Sequence, residues 1–164
     1  MNYVPVTVES RCQTAPATAF EVIVPIDLSL IFTGMGPLPA VKGVLDQEGP
    51  WDAVGRTRSP QLSDGSTATE RLVEYTPPHS FAYEIADFTG PLRLLVDHVR
   101  GEWTFTPDGS NCLVRWTYSF FPRPGLRPVV RAVAVPLWRR YAKATLARAI
   151  EQVERAGGGT PSPT

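Results

Sequence analysis

The sequence predicts an α+β domain: a seven-stranded, curved antiparallel sheet wrapped around one long C-terminal helix, with two short helices after the first strand. Three observations carry this. Apolar residues alternate with a period of two through Val4, Val6, Val8 and Cys12, and again through most of the stretch from Val41 to Phe121. That stretch is cut at short intervals by Gly49-Pro50, Asp64-Gly65, Pro77-Pro78, Gly90-Pro91 and Asp108-Gly109, each a turn-forming pair. Beyond Pro122-Arg123-Pro124-Gly125 the period becomes helical, and Val135, Trp138, Ala142, Leu146, Ala149, Ile150 and Val153 form a single stripe.

Taken in order, Val4 to Cys12 reads as a half-buried strand, with Thr7, Glu9 and Arg11 on the wet parity. Pro16 occupies a helix start, and Phe20, Ile23 and Val24 recur at helical spacing within Ala17 to Val24. Pro25 interrupts this helix, and a second one is expected from Ile26 to Phe32, ended by Gly34 and Gly36. Strands are expected at Val41 to Asp46, Ala53 to Ser59, Thr67 to Tyr75, Phe81 to Phe88, Leu92 to Thr106 and Cys112 to Phe121. In the final helix Pro128 suits the first turn, whereas Pro136 should kink or restart the rod.

The 164 residues suit one domain, expected over 3–155, with a disordered tail over 156–164 that is rich in glycine, proline and small polar residues. Sixteen basic residues balance sixteen acidic ones, which argues against nucleic-acid binding through global charge. The two cysteines, Cys12 and Cys112, have no metal-ligand spacing and suit reduced thiols in a cytoplasmic protein. No secretory signal and no uninterrupted apolar run of membrane-spanning length is visible. With two histidines, His79 in a turn and His98 on a strand, no metal site can be assembled, and no cofactor motif is present.

Geometry then predicts a cavity. Seven strands at about 4.8 Å spacing make a sheet about 34 Å wide, while one helix covers a band of about 10–12 Å. The sheet must curl, and space remains between sheet and helix unless bulky side chains fill it.

The order of elements resembles the helix-grip fold. Ala15-Pro16-Ala17-Thr18-Ala19-Phe20-Glu21-Val22 resembles the opening helix of polyketide cyclase/dehydrase-like proteins of the START-related superfamily. The run from Thr69 to Tyr83, with its double proline, resembles that family's strand, turn and strand, and Gly101 to Pro107 followed by Val114 to Tyr118 resembles its last hairpin. The resemblance spans about residues 3 to 155. It implies an elongated pocket for apolar or aromatic small molecules such as lipids, sterols or polyketides, and supports the fold more than any reaction.

Strand parity nominates the lining. Arg93, Leu95, Asp97, Val99, Gly101, Trp103 and Phe105 share one face, as do Cys112, Val114, Trp116, Tyr118 and Phe120, and as do Phe81, Tyr83 and Ile85. Asp97 thus falls in an apolar row: it is paired, or it is a protonated donor to a ligand, or a bulge turns it outward. Trp103, Trp116, Tyr83 and Tyr118 suggest an aromatic cage with two phenolic handles. Phe20, Phe32, Trp51 and Trp138 complete the expected ligand-binding set, Trp51 as a rim, lid or packing residue. Two functions are expected from this set. The first is binding of a lipophilic, aromatic or polyketide-like molecule. The alternative is an aromatase/cyclase or dehydratase with Asp97 as acid or base and Tyr83 or Tyr118 as enol-stabilising donor.

The zero net charge hides a division. Residues 1–122 carry eight basic and fourteen acidic side chains, residues 123–164 eight and two, so the C-terminal part is +6 against −6 elsewhere. The plain expectation is a basic helix docked on an acidic sheet. A second is peripheral contact with an anionic membrane, anchored by Val129, Val130, Val133 and Trp138. A third and weaker one is a macromolecular partner on the same helix or on a sheet edge.

Overall fold

The computed structural model describes residues 2–157. Strand β1 (Val4–Cys12) leads to helices α1 (Pro16–Ile23) and α2 (Leu28–Ile31), then to β2 (Val41–Leu45), β3 (Thr57–Leu62), β4 (Thr69–Thr76), β5 (Ser80–Ala86), β6 (Val96–Asp108) and β7 (Asn111–Pro122). The final rod comprises α3 (Arg127–Val129), a π-turn (Val130–Ala134) and α4 (Val135–Gly157). The strands form one antiparallel sheet in the order β1-β7-β6-β5-β4-β3-β2, curled around α4. The predicted α+β helix-grip architecture is the observed one. Helix α4 runs through Ala156 and Gly157, past the expected domain end at 155, and the rest of the expected tail, 158–164, lies outside the described residues.

Local chemistry explains the boundaries. Pro16 opens α1, and Asp27 caps α2 by accepting from the Ser29 N–H at 3.0 Å, so α2 is shorter than the expected helix over 26–32. Ala53 to Gly55 form a turn instead of a strand start, with Gly55 at φ 97°, and β3 begins only at Thr57. It continues past Pro60, whose missing N–H is tolerated because the β3–β4 ladder is confined to Thr57–Arg71 and Arg58–Glu70. Pro136 removes a helical donor, and the wider π-turn lies immediately before it, so the rod restarts there as its proline predicts.

One stretch departs from the simple alternation. Pro91–Leu94 is a 3-10 turn closed by Leu95 N–H to Leu92 O at 3.0 Å, and β6 carries a bulge between Val96 and His98. The extra residue breaks parity. Val96 and Val99 point into the core, whereas the Asp97 side chain is 70% exposed.

The centre of the sheet is a set of cross-strand ladders. Phe81, Trp103 and Trp116 stand in register on β5, β6 and β7, and the two indoles stack at 4.7 Å between centroids. In the next rung Tyr83 faces Gly101, which faces Tyr118. The Tyr83 ring lies over Gly101 so closely that a Cβ there would overlap it. Glycine at this position is a packing requirement, since it leaves the middle strand empty where the Tyr83 phenol lies across it. Cys12 and Cys112 are direct partners across β1 and β7, both fully buried free thiols.

Two outcomes are expected. Gly101→Ala should destabilise the fold by about 1–3 kcal/mol in urea denaturation, and the loss should shrink in a Tyr83→Ala background, where the overlap is absent. Burial pushes the Cys112 thiol up to about 11. The folded state therefore holds that proton to higher pH than the unfolded chain, whose thiols titrate near about 8.5. Stability should be fully present below that pH and fall as pH rises toward 11. Urea midpoints at pH 8 and pH 10.5 should differ less in Cys112→Ala than in the unaltered protein.

Candidate functional site

Between the sheet and the helices lies a cavity of about 440 Å³, large enough for a small organic molecule. Its floor is the inner face of β5 to β7, supplied by Phe81, Tyr83, Ile85, Trp103, Tyr118 and Phe120. One wall is the end of α1 with α2 and the following loop, from Ile23 to Phe32 and from Pro37 to Val41. Another is the segment Phe88 to Leu95, and the long rod closes the top with Val133, Ala134, Leu137, Trp138 and Tyr141. Val133 and Leu137 line the cavity and are also 50% and 36% exposed, so they mark its mouth on the rod side, as exposed Pro37, Asp64 and Pro91 do on the loop side.

Of the residues expected from sequence, the structure brings Phe32, Tyr83, Ile85, Leu95, Trp103, Tyr118 and Trp138 to the cavity wall. Trp116 stands one layer back. It stacks on Trp103, meets Trp138 edge-on at 5.6 Å, and its indole N–H donates to Tyr83 Oη at 3.1 Å. Phe20 belongs to the packed core, against Tyr75, Phe81 and Phe105. Trp51 is buried outside the cavity, under the Arg58 guanidinium, whose carbon lies 4.1 Å from the ring centroid.

Asp97 is not at the site. The bulge that turns it outward also sets it against His98, whose Nδ1 lies 2.9 Å from Asp97 Oδ2, while the His98 ring stacks on Phe121 at 4.0 Å. The His98 hydrogen bond holds the Asp97 carboxyl below the usual carboxylate range, so it is an ionised surface group. It cannot reach a molecule in the cavity, and the acid/base role expected for it fails on position.

The structure supplies instead a buried ion pair that parity arguments overlooked. Arg58 and Glu70 face one another across β3 and β4, are 6% and 3% exposed, and are joined Nη2 to Oε1 at 2.9 Å. Both line the cavity. The signal was present, since Arg58 shares parity with Pro60 and Leu62, and Glu70 with Leu72, on strands whose other members pack inward. Arg58 Nε and Trp138 Nε1 are buried donors with no hydrogen-bond partner. Desolvation raises the phenols of Tyr83 and Tyr118, so both are neutral donors at physiological pH, and each senses the Glu70 charge.

Tyr141 fixes the wall opposite the sheet. Its phenol accepts from Gly34 N–H at 2.9 Å and donates to the Pro39 carbonyl at 2.9 Å, which ties the loop after α2 to α4. The Phe88–Leu95 side is held in turn by Arg123, whose N–H donates to Leu95 O at 2.9 Å and whose Nε donates to Arg93 O at 2.6 Å.

The architecture has solved counterparts. Norcoclaurine synthase of Thalictrum flavum, solved as a point mutant in complex with a transition-state analogue, superposes with a TM-score of 0.68 at 16% identity, covering 94% of this chain and 96% of its own. A major latex-like protein 151 of Panax ginseng gives 0.64 at 15% identity, covering 96% and 99%. A protein of Nitrosospira multiformis gives 0.68 at 14%, covering 92% and 96%. At such identities the likeness is one of fold. No curated protein matches by sequence. Among the described residues no helix is long and apolar enough to cross a membrane. Residues 4–155 match the family described as polyketide cyclase / dehydrase and lipid transport, and the chain belongs to that family.

Proposed function

We propose that the protein binds one lipophilic small molecule in the cavity between sheet and long helix, as a carrier or sequestering protein of the cytoplasm. The observation that carries this reading is the cavity itself: about 440 Å³ lined largely by aliphatic and aromatic side chains and open at Val133 and Leu137. Family membership supports it, and so do the aromatic walls, where Trp138 lies over Tyr118 at 4.2 Å and beside Phe32 at 6.4 Å. Flat, apolar ligands suit such surfaces. Two free, buried cysteines aligned on neighbouring strands fit a reducing compartment.

A second reading concerns where the ligand is collected. Of the expected anchors Val129 and Val133 are exposed, whereas Val130 is buried and Trp138 lines the cavity; Leu137 on the rod and Leu94 and Met35 on the two bordering segments are exposed as well. Arg131, Arg139 and Arg140 are exposed among them, and none of these arginines forms an ion pair among the described residues. An apolar rim with unpaired cations suits peripheral contact with anionic lipid.

Native mass spectrometry of freshly purified protein should show one co-purifying molecule per chain, and Ala134→Trp, which fills the cavity from above, should abolish its retention without unfolding the protein. Retention undiminished in that variant would remove the cavity from the reading. In vesicle co-sedimentation the protein should partition to anionic but not neutral vesicles, with Leu137→Glu cutting binding at least fivefold; equal, negligible binding to both vesicle types would dispose of the membrane reading.

A further inference from the structure

An apolar cavity has little use for a buried charge pair, yet this one has Arg58 and Glu70 in its lining, each more than nine-tenths buried. Burying two charges costs more than their attraction returns unless further hydrogen bonds complete them. Here they are incomplete. Arg58 spends one nitrogen on Glu70 and its face on Trp51, and leaves Nε unbonded. Tyr83 Oη accepts from Trp116, which leaves its own proton to give, and Tyr118 Oη has no partner among the described residues. Tyr83 lies over Gly101, Tyr118 stands opposite Gly101 on β7, and the two phenols influence one another electrostatically.

The chemistry of this corner is specific in two respects. Its donors outnumber its acceptors, so it calls for an oxygen that accepts. Its net charge is already zero, because the Arg58 cation is neutralised by Glu70 at 2.9 Å. A ligand carboxylate would place a second anion beside Glu70 with one cation between them, and an ammonium would do the converse with Arg58; either leaves an uncompensated charge in a dry site. A ketone can accept from the phenols, and a hydroxyl can also donate to Glu70.

Building on the ligand-binding reading above, we propose that Arg58, Glu70, Tyr83 and Tyr118 form a polar subsite that recognises an uncharged oxygen function, ketone or hydroxyl, on an otherwise apolar ligand and rejects free carboxylates. The subsite thus selects neutral ligands over fatty acids and other organic anions of the same shape.

The test uses four probes of one skeleton, naphthalene, 2-naphthol, 2-acetonaphthone and 2-naphthoate, titrated at pH 7 by tryptophan fluorescence and calorimetry. The unaltered protein should bind naphthol and acetonaphthone about tenfold or more tighter than naphthalene, and naphthoate more weakly than naphthalene. Glu70→Gln, which leaves Arg58 unneutralised, should raise the naphthoate-to-naphthol affinity ratio at least tenfold. Tyr118→Phe keeps the ring and the ion pair and should cut the naphthol advantage about fivefold, so the proposal does not hang on the folding of one variant. If naphthalene binds but the oxygenated probes gain nothing over it, or if naphthoate binds as well as naphthol, the subsite is refuted and the apolar cavity stands. Failure of naphthalene itself to bind overturns the cavity reading, and the subsite with it.

Discussion

A single helix cannot cover seven strands, and most of this molecule is a response to that mismatch. Apolar surface left in water costs about 25 cal/mol per Å², so a flat sheet of this width would forfeit much of the gain from burying its inner face. Curling brings the sheet edges toward α4, but curvature alone cannot bring every inward side chain into contact with one rod. The ends of the chain solve part of the problem: β1 beside β7 packs under α4, and α1 plugs one end with Phe20 among Tyr75, Phe81 and Phe105. At the other end no such plug exists. There the interior stays open, walled by the loop after α2 on one side and the Phe88–Leu95 segment on the other.

The sequence made the architecture legible because its governing signals are local. Alternation, turn pairs and the C-terminal stripe each act within a few residues, and the width argument needs only the strand count. Its inward aromatics followed from parity, and Tyr83, Trp103 and Tyr118 do line the cavity. Parity failed at Asp97 for a definable reason. A bulge consumes one residue without changing the appearance of the alternation, and the 3-10 turn at Pro91–Leu94 takes the preceding residues out of the strand altogether.

Pairwise facts were the part that one-dimensional reading missed. Arg58 and Glu70 lie twelve residues apart on strands joined by a turn, and nothing in either strand says that the two charged positions will face each other. The same holds for Cys12 and Cys112, far apart in sequence and adjacent in the sheet. Gly101 is the inverse case. In sequence it looks like a weak point in a strand, whereas in the sheet it is the vacancy that lets a tyrosine from β5 lie across β6 toward one from β7.

The hydrogen bonds of Tyr141 and Arg123 bear on how fast anything can pass the mouth. One bordering segment is fastened to α4 through a phenol whose donor and acceptor are both used, and the other through a backbone and a guanidinium contact to Arg123. Val133 and Leu137 are exposed on the rod, and Pro37, Asp64 and Pro91 are exposed on the loops around the same opening. Rotamer changes of exposed side chains occur in picoseconds to nanoseconds, whereas loop rearrangements take nanoseconds to microseconds. The exposed side chains on the rod can therefore readjust faster than the fastened walls that border them.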